Sequence, residues 1–232
     1  RERLHRLNRC FIAWQPSPIL PEYHAAIDDA PPGPVRFGSF NHTRKLSDHT
    51  LRTWGTLLAA LPKASLVLKA NAQDDAATQE LLRRRLQRAG IDPERITWLP
   101  FTGSAEEHLQ QYRHIDIALD CFPNGGCTTT CEALWMGVPT VALAGRHYVS
   151  RMSTAVLHGA GLGDWVCDSP QAYVDLALER AADLQQLRAG RDRWRQRLQH
   201  SPLGDAADLM QQLEQAFSQL HQQQLTAAGA PG

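Results

Sequence analysis

A glycine pair, Gly125 and Gly126, stands directly before Cys127, Thr128, Thr129 and Thr130, and Glu132 follows after Cys131. These residue types in this order suit a phosphate ligand. The first N–H groups of a helix have no intrahelical partner and lie at the positive end of its dipole, so a helix entered through glycines can bring bare backbone up to an anion. The threonine hydroxyls add donors beside those amides. Glu132, about one turn into the helix, is placed to accept from a ribose diol, and the two together describe a nucleoside diphosphate. A competing reading needs no ligand: Thr129 and Glu132 have the spacing of a capping box, Thr at the N-cap and Glu at N3. The glycine pair favours binding, because a helix that only needs a cap has no use for it.

A second polar cluster follows an apolar run earlier in the chain. Asn41, His42, Thr43, Arg44 and Lys45 come directly after the strand expected over Val35 to Phe40. Lys45 or Arg44 there could neutralise a departing diphosphate; the plain alternative is a solvated loop. His108, within a short helical stretch, is a candidate for a base or ribose contact, or else a surface residue. The chain contains no G-x-x-x-x-G-K-[ST], and no G-x-G-x-x-G follows its first regular strand. G-x-S-x-G and H-E-x-x-H are also absent. Hydrolase readings therefore lack a nucleophile or a metal, and group transfer from a bound nucleotide is the chemistry left.

The elements that must position these groups alternate. Strands are expected at Val35 to Phe40, Ser65 to Ala70, Ile96 to Leu99, Ile115 to Leu119 and Thr140 to Leu143. Helices are expected from Ser47 as cap to about Leu61, from Asp75 as cap to Gly90, over Glu106 to Tyr112, through TTTCEALWMG, and over about Tyr148 to His158. A further short strand is expected at Cys10 to Trp14. Such alternation implies an α/β fold, a Rossmann-like parallel sheet with helices on both faces. Ligands of such sheets sit beyond the carboxyl ends of the strands, where both polar clusters fall. Residues 1–34, rich in proline, read as a connecting segment from a preceding lobe, 35–168 as the nucleotide-binding core, 169–225 as C-terminal helices, and 226–232 as a flexible tail.

Composition narrows the partners. Lys+Arg and Asp+Glu number 24 each in 232 residues, which gives no electrostatic case for nucleic acid or an acidic membrane surface. Five cysteines without paired spacing make no disulfide framework, and Cys127 and Cys131 lack the further partners a zinc site requires. No run is long enough to span a bilayer, and the opening RERLHRLNRC has no apolar signal core, so a reducing, cytoplasmic setting is expected.

Two long stretches carry a family resemblance. FGSFNHTRKLSDHTLRTWGTLLAALPKASLVLKA and LPFTGSAEEHLQQYRHIDIALDCFPNGGCTTTCEALWMGVPTVALAG resemble the C-terminal half of the protein O-glycosyltransferases of glycosyltransferase family 41, which includes O-GlcNAc transferase and, more similar here, the SPINDLY branch. The resemblance implies the C-terminal lobe of a GT-B fold that holds a nucleotide sugar, with tetratricopeptide repeats and an N-terminal lobe elsewhere in the parent protein. It implies an inverting, metal-independent enzyme that needs no cofactor and transfers a sugar to Ser or Thr of protein acceptors. It makes Lys45 the catalytic lysine at the donor diphosphate, Thr128 and Thr129 the phosphate threonines, Glu132 the ribose acid and His108 the histidine near the base. Asn41 and His42 lie where the family's loop approaches the donor, and Gly126, Cys127 and Thr130 complete the donor-binding set. Cys127 replaces a histidine, Glu132 an aspartate and Ala105 a lysine found in O-GlcNAc transferases, so both UDP-GlcNAc and GDP-fucose stand as donors. A non-catalytic nucleotide-sugar-binding module and a nucleotide-sugar epimerase are the alternatives.

Overall fold

The computed structural model describes residues 4–16, 33–69 and 76–228. Six parallel strands form one layer: β1 (Arg36–Ser39), β2 (Ser65–Lys69), β3 (Ile96–Leu99), β4 (Ile117–Leu119), β5 (Thr140–Leu143) and β6 (Val166–Cys167), in the spatial order β3-β2-β1-β4-β5-β6. The chain builds outward from β1 through β2 to β3, then returns to lay β4 on the other side of β1, with Phe37 opposite Ile117 and Gly38 opposite Ala118. The order therefore reverses between β1 and β4. Connections diverge to opposite faces there, and the gap between them opens at the carboxyl ends of those two strands.

Alternate strand residues supply two cores, as a sheet covered on both faces requires. Phe37, Leu66, Leu68, Ile117, Leu119 and Val141 join the larger one, against Leu51, Trp54, Leu57 and Leu58 of α1 (Asp48–Ala60). Val67 and Ala118 point the other way, into a smaller cluster with Phe40, Leu109, Tyr112, Ile115 and Ala133. Ser47 caps α1 as expected, its hydroxyl accepting from the Thr50 amide at 3.0 Å. Behind α1, α2 (Ala76–Arg88) approaches so closely that a Cβ on Gly55 would stand 1.9 Å from the Ala89 carbonyl oxygen. Asp75, the expected cap of α2, and Ala70, the expected end of β2, lie outside the described residues.

The next helices are α3 (Ala105–Gln110), prolonged by a 3-10 turn Gln111–His114, α4 (Thr128–Trp135) and α5 (Met152–Gly159), which a 3-10 turn Tyr148–Arg151 precedes. Helix α4 stops where Gly137 adopts φ +71°, a left-handed conformation that lets its amide and that of Val138 close back on Leu134 and Ala133. Polar leucine-spaced sequence then forms α6 (Pro170–Ala182), α7 (Leu184–Ala189), α8 (Arg191–Gln199) and α9 (Ala206–Ala228). Tyr173 and Val174 of α6 pack into the larger core. Among the described residues no helix is long and apolar enough to cross a membrane.

Two expectations need correction. Cys10 to Trp14 is not a strand. Cys10, Ile12 and Trp14 are partly buried against the larger core, and the Trp14 amide donates to the Leu203 carbonyl, so apolar content there serves packing without a strand partner. Conversely, β6 was not expected: it is two residues long, too short to show periodicity.

Candidate functional site

The turn after β4 lies directly over the reversal of strand order. Asp120, at the end of β4, accepts from the Gly126 amide at 2.7 Å and from the Asn41 side-chain amide, beyond β1, at 3.2 Å. Asn41 in turn accepts from the Thr129 hydroxyl at 3.1 Å. One buried carboxylate and one buried carboxamide thus tie β1, β4 and the first turn of α4 together across the switch point. From the other side, Ser153 donates to the Gly126 carbonyl at 2.7 Å, and Tyr173 to the Asp120 carbonyl at 3.0 Å. The Phe122 carbonyl accepts from both Ser47 and Thr50, which anchors the turn to the start of α1.

The capping-box reading does not survive. Cys127, not Thr129, is the N-cap of α4, and it makes no side-chain cap. Thr129 spends its hydroxyl on Asn41, while Glu132 pairs with His108 at 3.2 Å. With the box absent, no acceptor among the described residues meets the amides of Thr128 and Thr129, whereas the amides of Thr130 and Cys131 both reach the Cys127 carbonyl. Thr128 is exposed and Thr129 half-buried, so these two amides open towards solvent at the positive end of α4. Lys45 arrives at the same place: its ammonium donates to the Gly125 carbonyl at 3.0 Å. A 3-10 turn, Thr43–Lys45, presents it, and His42 caps that turn by accepting from the Arg44 amide. Burial pushes the Cys127 thiol up, and the Lys45 charge pulls against that shift.

The expected site residues therefore divide. Lys45, Cys127, Thr128 and Thr129 converge on one mouth, and His108 and Glu132 meet beside it. Thr130 does not join them: its side chain is 2 % exposed and packs beneath Gly126, so it cannot serve as a third phosphate hydroxyl. Asn41 is 7 % exposed with both ends of its amide engaged inside the protein, and the Gly126 amide is taken by Asp120. These two shape the mouth rather than line it.

Sequence reasoning passed over Asp120, Lys69 and Tyr112. Lys69 is the last residue of β2, Asp120 directly follows β4, and Tyr112 lies in the 3-10 turn after α3. Lys69 donates to Thr102 at 2.7 Å and meets Nδ1 of His108 at 2.5 Å; burial lowers the lysine's affinity for its proton, with Glu132 and Glu107 opposing. Tyr112 donates to the Thr129 carbonyl at 3.2 Å and to Glu132 at 3.4 Å; burial and the Glu132 charge hold its hydroxyl protonated.

Asp120 carries a pH signature. Burial raises its carboxyl from 3.8 to about 6, against the hydrogen bonds from Gly126 and Asn41. A carboxyl whose folded-state pKa is raised binds its proton more tightly when folded, so the contribution of this group to stability is lost as pH climbs from about 4 to 6. The loss amounts to roughly 3 kcal/mol. Denaturant titrations at a series of pH values should show the stability of the wild type relative to Asp120→Asn declining across this window. Parallel profiles would remove the assignment.

Comparison with known proteins places the chain by family and fold. Residues 25–213 match the model of glycosyl transferase family 41. The chain is 36% identical over 220 residues to a rice (Oryza sativa subsp. japonica) protein named probable UDP-N-acetylglucosamine--peptide N-acetylglucosaminyltransferase SPINDLY, covering 93% of this chain and 23% of that protein. A Caenorhabditis elegans UDP-N-acetylglucosamine--peptide N-acetylglucosaminyltransferase is 30% identical over 69% of this chain and 13% of its own length. A solved mutant of Thermobaculum terrenum O-GlcNAc transferase superposes with a TM-score of 0.82 at 34% identity, over 98% of this chain and 43% of that one. The chain spans about a quarter of the rice relative's length. Its sheet is that of a GT-B glycosyltransferase lobe, and the chain belongs to glycosyl transferase family 41.

Proposed function

We propose that this chain is the donor-binding lobe of a protein O-glycosyltransferase, holding a nucleoside diphosphate sugar for inverting transfer to Ser or Thr hydroxyls. The observation that carries the reading is the mouth where the Lys45 ammonium stands 3.0 Å from the Gly125 carbonyl, beside the open amides of Thr128 and Thr129. A diphosphate there meets a fixed positive charge and a helix terminus without solvent having to reorganise. Lys45 and the amide pair would stabilise the charge that develops on the departing diphosphate, the task a divalent cation performs in other transferases, which makes the reaction metal-independent. Glu132 would accept from the ribose and His108 would flank the base. The acceptor hydroxyl comes from the protein substrate, and the groups that would activate it lie on the N-terminal lobe expected in the parent protein, which tetratricopeptide repeats would precede.

The relatives are named for UDP-N-acetylglucosamine, and GDP-fucose is the competing donor. Calorimetric titration with UDP, GDP, UDP-GlcNAc and GDP-fucose, next to a transfer assay on the parent protein, tests both steps. Micromolar binding of one nucleoside series and transfer to protein are expected. Binding without transfer would make the lobe a module, and sugar interconversion without an acceptor would make it an epimerase. Glu132→Ala should weaken donor binding about tenfold and leave turnover of the saturated enzyme within threefold, as expected when one charged acceptor is removed from a ligand. Unchanged donor affinity in that variant would take Glu132 out of the site.

A further inference from the structure

Beside the mouth, five side chains from separate elements form a continuous hydrogen-bonded line. Lys69 ends β2 and is 5 % exposed; Thr102 follows β3; His108 lies on α3, Tyr112 on the 3-10 turn after it, and Glu132 on α4. An ammonium has three donors and no acceptor, so the 2.5 Å contact between Lys69 Nζ and His108 Nδ1 makes Nδ1 the acceptor. The ring hydrogen must then sit on Nε2, which faces Glu132 Oε2 at 3.2 Å and donates to it. Tyr112 approaches the same oxygen. Both donors therefore meet Oε2, which leaves Oε1 as the acceptor for a ligand. Phe40 and Tyr112 flank the imidazole, at centroid distances of 5.9 and 6.0 Å.

We propose that Lys69 is a positioning residue of the donor site: its ammonium selects the Nε2–H tautomer of His108 and, through that ring, fixes the Glu132 carboxylate where the ribose is bound. The inference rests on the nucleotide-sugar reading for its ligand but not for its hydrogen bonds. Lys69 needs no contact with the donor. Removing it frees Nδ1 to carry hydrogen, so the ring is no longer held to one protonation pattern and orientation beside Glu132, and the carboxylate loses a fixed partner. The consequence is weaker nucleotide binding without any change in the diphosphate mouth.

Histidine-selective 15N spectra test the tautomer directly, with the His108 signals assigned by their loss in His108→Gln. At neutral pH the wild type should show hydrogen on Nε2. Lys69→Met should let hydrogen appear on Nδ1, as a second tautomer or as imidazolium, and raise the Kd for UDP and for GDP, each measured calorimetrically, by about tenfold for whichever the wild type binds. Lys69→Arg, which keeps a cationic donor, should restore the single tautomer and most of the affinity. A merely structural lysine would leave the nitrogen shifts unmoved. Hydrogen on Nδ1 in the wild type overturns the proposal even if Lys69→Met does not fold, as does a Lys69→Met spectrum identical to wild type. If the tautomer responds as expected but the wild type binds neither nucleotide, the nucleotide reading fails and the hydrogen-bonded line stands.

Discussion

Lys45→Ala in the parent transferase should lower turnover by about 10²–10³-fold, the range seen when one preorganised donor to a developing charge is removed. Nucleotide affinity should fall by less than tenfold, and the difference between the two effects is the informative quantity. In the ground state the diphosphate charge is spread and shared with the sugar bond, so the amides of Thr128 and Thr129 suffice to hold it. As that bond breaks, a full further charge collects on the leaving oxygen, and only an interaction that strengthens at that moment accelerates the step. An ammonium held by the Gly125 carbonyl at 3.0 Å can supply it, because it is already in place beside the turn. Lys45→Arg should recover part of the rate, since charge is kept but the guanidinium does not reproduce the point contact. Turnover of the alanine variant within threefold of wild type would remove Lys45 from the chemistry.

How far the sequence discloses this site depends on how local each signal is. Ser47 is legible as a cap because its acceptor role is settled by Thr50, three residues on. The strands are legible because burial on both faces writes them as unbroken apolar runs such as Leu66 to Leu68. Lys45 and the threonines are legible because carboxyl ends of parallel strands are where ligands go. Asp120 is not: an aspartate closing a strand reads as a solvated residue, and its burial follows from Asn41, 79 positions earlier, and Tyr173, 53 later. Lys69 is hidden for the same reason, because its partner His108 comes 39 residues later on another element. Thr130 misleads in the opposite direction. Three adjacent threonines look equivalent in sequence, but a helix turns each by about 100°, which leaves Thr128 outside and carries Thr130 into the fold.

The same crowding makes Gly126 the most sensitive position in the turn. A Cβ there would stand 2.4 Å from the Thr129 hydroxyl oxygen and 3.1 Å from both Asn41 Oδ1 and Thr130 Oγ1. None of these can yield cheaply: Thr129 is branched at Cβ and held by Asn41, Asn41 is held by Asp120, and Thr130 is enclosed. In Gly126→Ala either the turn slides outward, breaking the 2.7 Å bond from its amide to Asp120, or Thr129 rotates off Asn41. Both routes displace the amides of Thr128 and Thr129 that the phosphates require, so nucleotide binding should fall by more than about tenfold, with a stability loss of about 1–3 kcal/mol from overpacking. Gly33→Ala, with no atom within 4 Å of the added carbon, is the control for loss of glycine as such. Calorimetry with UDP and GDP and thermal unfolding measure the two effects separately. Binding within threefold of wild type would mean that the glycine turn does not shape the anion mouth, because this substitution leaves Lys45 and every threonine in the chain and changes only where the backbone can sit.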